Sequence, residues 1–122
     1  MARVLVTGAS GFIGAHVARH LHAVGHEVIA AGRDPARLAV LSAAGLHTRA
    51  GDLSRDALLP LIDGAEVVVH CAALSTPWGK RERFLTANVI ATERLLDASR
   101  QSGVRRFVHF SSPSIYFRFE DQ

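Results

Sequence analysis

Three glycines at three-residue intervals, Gly8, Gly11 and Gly14, stand between an apolar run rich in β-branched residues, Arg3 to Thr7, and a stretch of helical period. Few folds place a glycine-rich turn between a strand and a helix at the very start of the chain. Glycine lets the backbone turn tightly and lets another group approach it closely. The first turn of a helix offers unpaired N–H donors and the positive end of the helix dipole to an anion. Glycines also end strands and cap helices as plain turns. In this strand-turn-helix context, Gly8-Ala9-Ser10-Gly11-Phe12-Ile13-Gly14 is read as a loop that cradles phosphate, with Gly8, Ser10, Gly11, Phe12, Ile13 and Gly14 as its contact residues.

The rest of the chain repeats the alternation of short apolar runs with helical segments. Ile13, Val17, Leu21 and Val24 recur at helical spacing and Gly25 ends that helix. A second strand is predicted over Glu27 to Ala31, then a helix that Pro35 opens and that runs to about Ala44. A third strand is predicted over Leu46 to Ala50, closed by Gly51-Asp52. Ser54 is expected to cap a short helix holding Leu58, Leu59 and Ile62, with Pro60 awkward inside it. The valine-rich run Ala65 to Cys71 suits a central fourth strand. A long helix follows from about Arg81 to Ser102, ended by Gly103, and a fifth strand spans Arg106 to Ser111. Parallel strands joined by right-handed crossovers give an α/β, Rossmann-type doubly wound sheet of order 3-2-1-4-5, truncated after strand five. Residues 1–122 are read as one domain, the front portion of a longer protein.

Composition narrows the function classes. Of the 122 residues 48% are hydrophobic and 20% charged, which is globular usage, and no apolar run reaches the ~20 residues needed to span a bilayer. No signal-peptide pattern precedes Val4, so the expected location is the cytoplasm. Cys71 is the single cysteine, which leaves no disulfide framework and no cysteine-based metal site. The net charge is +3, but the thirteen arginines are scattered and form no stripe, so no nucleic-acid partner is expected.

The end of the second strand discriminates between the nicotinamide cofactors. An acid there holds a ribose 2′-hydroxyl, whereas an arginine accommodates a 2′-phosphate. Gly32 and Arg33 stand at that point, which favours NADP, with NAD as the alternative. Asp34 is the competing residue, able to reach the ribose if the turn is displaced by one position.

Thr7-Gly8-x-x-Gly11-x-x-Gly14 at the N-terminus resembles the extended short-chain dehydrogenase/reductases, the NAD-dependent epimerase/dehydratase family, over essentially the whole chain. With the loop Ala72-Ala73-Leu74-Ser75-Thr76-Pro77-Trp78-Gly79, the segment Ser111-Ser112-Pro113-Ser114 looks like the 3β-hydroxysteroid dehydrogenase-like and sugar-nucleotide branches. The resemblance implies that Asp52 and Leu53 sit against the adenine. It also implies that Cys71, Ala72 and Ala73 line the cofactor, that Ser112 orients a substrate oxygen, and that Asn88 completes a proton relay through a water. Taken without the resemblance, Asn88 is as easily a solvated helix residue, Cys71 a small core residue and His70 a packed histidine. The implied reaction is hydride transfer between nicotinamide and a secondary alcohol or ketone of a small molecule, such as a sugar nucleotide or steroid-like compound. The family's Tyr-x-x-x-Lys pair is missing: Glu120 lies four residues after Tyr116, and Lys80 is the only lysine. The chain is therefore expected to be the cofactor-binding portion of an enzyme. A non-catalytic NADP-binding redox sensor is the alternative, and a homodimer through the 81–102 helix is expected by resemblance.

Overall fold

The computed structural model describes residues 1–71 and 81–110, the side chains of residues 81–87 excepted. Nine elements follow one another: β1 Arg3–Thr7, α1 Phe12–Ala23, β2 Glu27–Gly32, α2 Pro35–Ala43, β3 His47–Ala50, α3 Leu59–Ile62, β4 Val67–His70, α4 Arg81–Gln101 and β5 Arg106–His109. The strands form one parallel sheet of order β3-β2-β1-β4-β5, the Rossmann-like order expected from the sequence.

Alternation along β1 shows why both faces are covered. Leu5 points into a cluster with Leu61 and Ile62 of α3 and Ala91, Leu95 and Ala98 of α4. Its neighbours Val4 and Val6 point the other way, to Ala18 of α1 and to Leu38 and Leu41 of α2. A parallel sheet of this kind is buried on both sides, and its central strands read as unbroken apolar runs for that reason. Leu5 and Leu95 are fully buried, each worth about 2 kcal/mol in area removed from water.

Most expected boundaries stand within a residue or two, and the differences have local causes. β2 runs on to Gly32, which pairs with Ala50, and the Gly51 N–H donates to the Gly32 carbonyl at 2.9 Å. β3 and β4 are shorter than their apolar runs, since Leu46, Ala65 and Cys71 fall outside the ladder while Leu46 and Ala65 still join the core. Ser54 does not cap α3. Its hydroxyl and its N–H both donate to Asp52 Oδ1, at 2.7 and 2.9 Å, and the helix begins later, with Leu58 at its N-cap. Pro60 accordingly lies in the first turn, where its missing N–H leaves no bond unmade. β5 ends at His109, and Ser111 lies outside the described residues.

Strand order reverses between β1 and β4, whose carboxyl ends pair Thr7 with His70. Ligands of open α/β sheets settle in the crevice at such a switch point.

Candidate functional site

The loop between β1 and α1 is fastened before any ligand arrives. Gly8 adopts φ +67°, a left-handed conformation open to glycine at no steric cost. The Ala9 N–H donates to the Ala31 carbonyl at 2.9 Å and the Gly11 N–H to the Gly8 carbonyl at 3.0 Å, so the turn is stitched to β2 and to itself. A Cβ built on Gly32 would come within 2.7 Å of the Ser10 hydroxyl oxygen, so the end of β2 lies directly against the loop.

A groove of about 270 Å³ opens above the carboxyl ends of the strands. Thr7, Gly8 and Cys71 line its floor and Ser10 and Gly11 its loop side. Arg33, Asp34 and Arg37 stand at the end where β2 passes into α2, Asp52 and Leu53 after β3, and Asn88 and Ala91 on α4. Of the residues singled out in the sequence, Gly8, Ser10, Gly11, Arg33, Asp52, Leu53, Cys71 and Asn88 thus meet around one cavity.

Three others do not line it. Gly14 is buried beneath the loop, where α1 packs on the Gly8 carbonyl. Phe12 and Ile13 present exposed side chains, 79% and 56% accessible, and the Phe12 ring meets His16 edge-on with centroids 4.5 Å apart. What the start of α1 can offer an anion is backbone N–H, not these side chains. Ala72, Ala73 and Ser112 lie outside the described residues, as does the 74–79 loop.

Sequence reading missed Arg37 and Ser54, which also line the groove. Arg37 was discoverable: with Pro35 opening a helix, it falls one turn from Arg33. Its Nη1 donates to the Ser10 carbonyl at 3.2 Å, tying α2 to the phosphate loop. Asp34 proves to be the N-cap of α2, its Oδ1 accepting from the N–H of Ala36 at 3.0 Å and of Arg37 at 3.4 Å. That carboxylate is already engaged by a helix start.

Hydrogen bonds set the charge states along the rim. The Ser54 hydroxyl and N–H hold the Asp52 carboxyl below its ordinary range, with a smaller contribution from Arg33 and Arg55, so the groove's β3 side carries a fixed negative charge. Arg94 reaches from α4 to the carbonyls of Leu53 and Asp56, the latter at 2.8 Å, and so holds the 52–56 loop in place as one wall. Burial pushes the Cys71 thiol up to about 11, which makes it a neutral, small floor residue. His70 is also kept neutral: burial and the neighbouring His109 push it down to about 4. Among the described residues no group of three or more His, Cys, Asp or Glu side chains is placed to hold a metal ion, and no helix is long and apolar enough to cross a membrane.

These features fit a dinucleotide: a glycine loop on which α1 packs so closely that Gly14 has no room for a side chain, free helix N–H groups beside it, and a cationic rim one strand away. The comparisons agree. The model of the NAD dependent epimerase/dehydratase family matches residues 4–122, and the chain belongs to that family. It is 35% identical over 117 residues to a 2-alkyl-3-oxoalkanoate reductase of Stenotrophomonas maltophilia, covering 95% of this chain and 35% of that protein. It is 36% identical over 123 residues to a 3 beta-hydroxysteroid dehydrogenase/Delta 5→4-isomerase of Mycobacterium tuberculosis, covering 94% of this chain and 33% of that protein. The solved structure of MoeE5 in complex with UDP-glucose and NAD superposes with a TM-score of 0.78 at 39% identity, over 93% of this chain and 38% of that one. The chain spans about a third of the length of the curated relatives it matches.

Proposed function

We propose that this chain is the NADP-binding portion of an oxidoreductase that passes a hydride between the nicotinamide and a secondary alcohol or ketone. One observation carries the choice of cofactor: Arg33 and Arg37 line the same end of the groove, while Asp34 beside them caps α2 through Oδ1 and pairs with Arg37 Nε through Oδ2 at 3.5 Å. Two guanidinium groups suit a 2′-phosphate, and Asp34 is already shared between a helix start and Arg37. NAD is the competing reading, since MoeE5 holds it.

Bound in this groove, the nicotinamide would supply the hydride, and the chain's own residues would do the positioning. Gly8, Ser10 and Gly11 would hold the pyrophosphate against the start of α1, with Gly14 allowing the helix to sit that close. Asp52 and Leu53 would flank the adenine, and Cys71, Ala72 and Ala73 would let the backbone lie along the cofactor. Ser112 would orient the substrate oxygen, with Asn88 ordering a water for proton exchange. The proton donor itself falls to residues of the longer protein, in keeping with relatives three times this length. A sugar nucleotide or a steroid-like ketone is the substrate class we favour, in a cytoplasmic protein that pairs through α4, where Val89 and Ile90 are exposed.

The test is turnover by the full-length protein. NADPH absorbance should fall on addition of a β-keto acid, a 3-ketosteroid or a 4-keto sugar nucleotide, and Ser112→Ala should abolish the loss. Tight NADPH binding with no turnover of any of the three would replace the enzyme with the redox-sensor reading.

A further inference from the structure

We propose that His70 is a positioning residue for this groove: held between Thr7 and Thr92 with its proton on Nε2, it ties the carboxyl ends of β1 and β4 to α4 and thereby sets Asn88 over the groove floor. The inference rests on the function proposed above for what binds there, while the tie itself is a matter of geometry.

His70 interrupts an otherwise aliphatic central strand, following Val67, Val68 and Val69, and is only 3% exposed. An apolar side chain would fill that place without the cost of burying an imidazole, so the ring is there for its hydrogen bonds. Nδ1 lies 2.7 Å from Thr7 Oγ1, and Nε2 lies 3.0 Å from Thr92 Oγ1. The Thr7 hydroxyl oxygen already accepts the Cys71 N–H at 3.1 Å. Among the described residues Nδ1 is the other partner of this buried hydroxyl, so donation to Nδ1 is the arrangement that leaves its proton satisfied. The ring proton then sits on Nε2, facing Thr92. Every buried side-chain nitrogen and oxygen among the described residues has a partner, so this chain of bonds is complete.

The sheet register holds the ring in place. Thr7, His70 and His109 are direct neighbours across β1, β4 and β5, and the His109 ring stacks on His70 with centroids 5.2 Å apart at 23°. Thr92 and Asn88 are one turn apart on α4 and share a face. Thr7, Cys71 and Asn88 all line the groove, whereas Thr92 does not. One imidazole thus links two floor residues to the helix that carries Asn88. Losing that link would free the Asn88 end of α4 to shift relative to the groove, and a misplacement of about 1 Å can cost roughly 100-fold in rate.

Thr92→Val is the informative change, because it keeps the side-chain shape, lies outside the groove and removes only the acceptor of the Nε2 proton. His70→Phe would leave the Thr7 hydroxyl without its partner in the core and is a poorer probe. In the full-length protein the Thr92→Val variant should lose about tenfold in kcat with the KM for NADPH within about twofold, and Thr92→Ser should restore the rate. By NMR, wild type and Thr92→Ser should show a slowly exchanging imidazole proton on Nε2 of His70. Thr92→Val should lose it and shift the Asn88 side-chain amide. If Thr92→Val lowers the melting temperature but leaves kcat and the Asn88 resonance unchanged, His70 is a stability clamp and the proposal is overturned. If wild type binds no nicotinamide nucleotide, the proposed function fails by itself, and the tautomer and Asn88 signals still decide whether His70 ties the floor to α4.

Discussion

A Cβ atom on Gly14 would stand 2.0 Å from the carbonyl oxygen of Gly8, so the first turn of α1 rests directly on the phosphate loop. Backbone faces backbone in this contact, and no side chain can swing away to relieve it. Gly14→Ala is expected to destabilise the chain by about 3 kcal/mol and to abolish nucleotide binding with it. Gly11→Ala meets the same oxygen at 3.3 Å from an exposed position, with an extended backbone that alanine adopts freely. Its melting temperature should stay within a few degrees of wild type, and thermal denaturation of the two variants side by side decides the point.

His70 gives stability a pH dependence of defined sign. Its ordinary value of 6.5 falls to about 4 in the folded chain, so as pH drops the unfolded state takes up the proton first. Stability is unaffected above the ordinary value, declines between it and about 4, and has lost roughly 3 kcal/mol from this group by the bottom of that window. Asp52 acts lower down: its folded value is depressed, so its stabilisation is present above the ordinary carboxylate range and is lost as pH falls below it. Urea denaturation across this range should show the decline in wild type and a flattened one in His70→Asn. An unchanged slope in the variant would assign the decline to other groups.

Cys71 should be a slow thiol. Raised from 9.0 to about 11, it carries on the order of 100-fold less thiolate near pH 8 than an unperturbed cysteine, and alkylation follows the thiolate. Iodoacetamide labelling should therefore be slow, and saturating nucleotide should slow it further because Cys71 lines the groove floor. Labelling as fast in the native chain as in urea would contradict both the burial and the site.

The fold was legible because its signals are local. The valine-rich runs and the Gly8-Gly11-Gly14 turn name the strands and the first helix, and crossover handedness then orders the sheet. Where reading failed, side chains competed for one backbone. Ser54 looked like a cap for α3, but Asp52 captures it, and Pro60 then fits a helix that starts later. Arg37 required the phase of α2 as well as its existence, and the engagement of Asp34 required knowing which residue caps that helix. Phe12 and Ile13, named with the loop, open α1 and can serve an anion through their backbone N–H groups, while their side chains are exposed. Burial of His70 was foreseeable from its valine neighbours. Its partnership with Thr92 was not, since 22 residues and a crossover separate them.

The most direct measurement is a fluorescence titration of NADPH and of NADH against the wild-type chain and the Arg33→Ala/Arg37→Ala double variant. NADPH should bind wild type at least about tenfold more tightly than NADH, a difference of about 1.4 kcal/mol, and the double variant should lose that preference, its affinity falling far more for NADPH than for NADH. Equal or tighter binding of NADH by wild type would overturn the assignment of the arginines to a 2′-phosphate. Binding of neither nucleotide would contradict the reading of the groove itself.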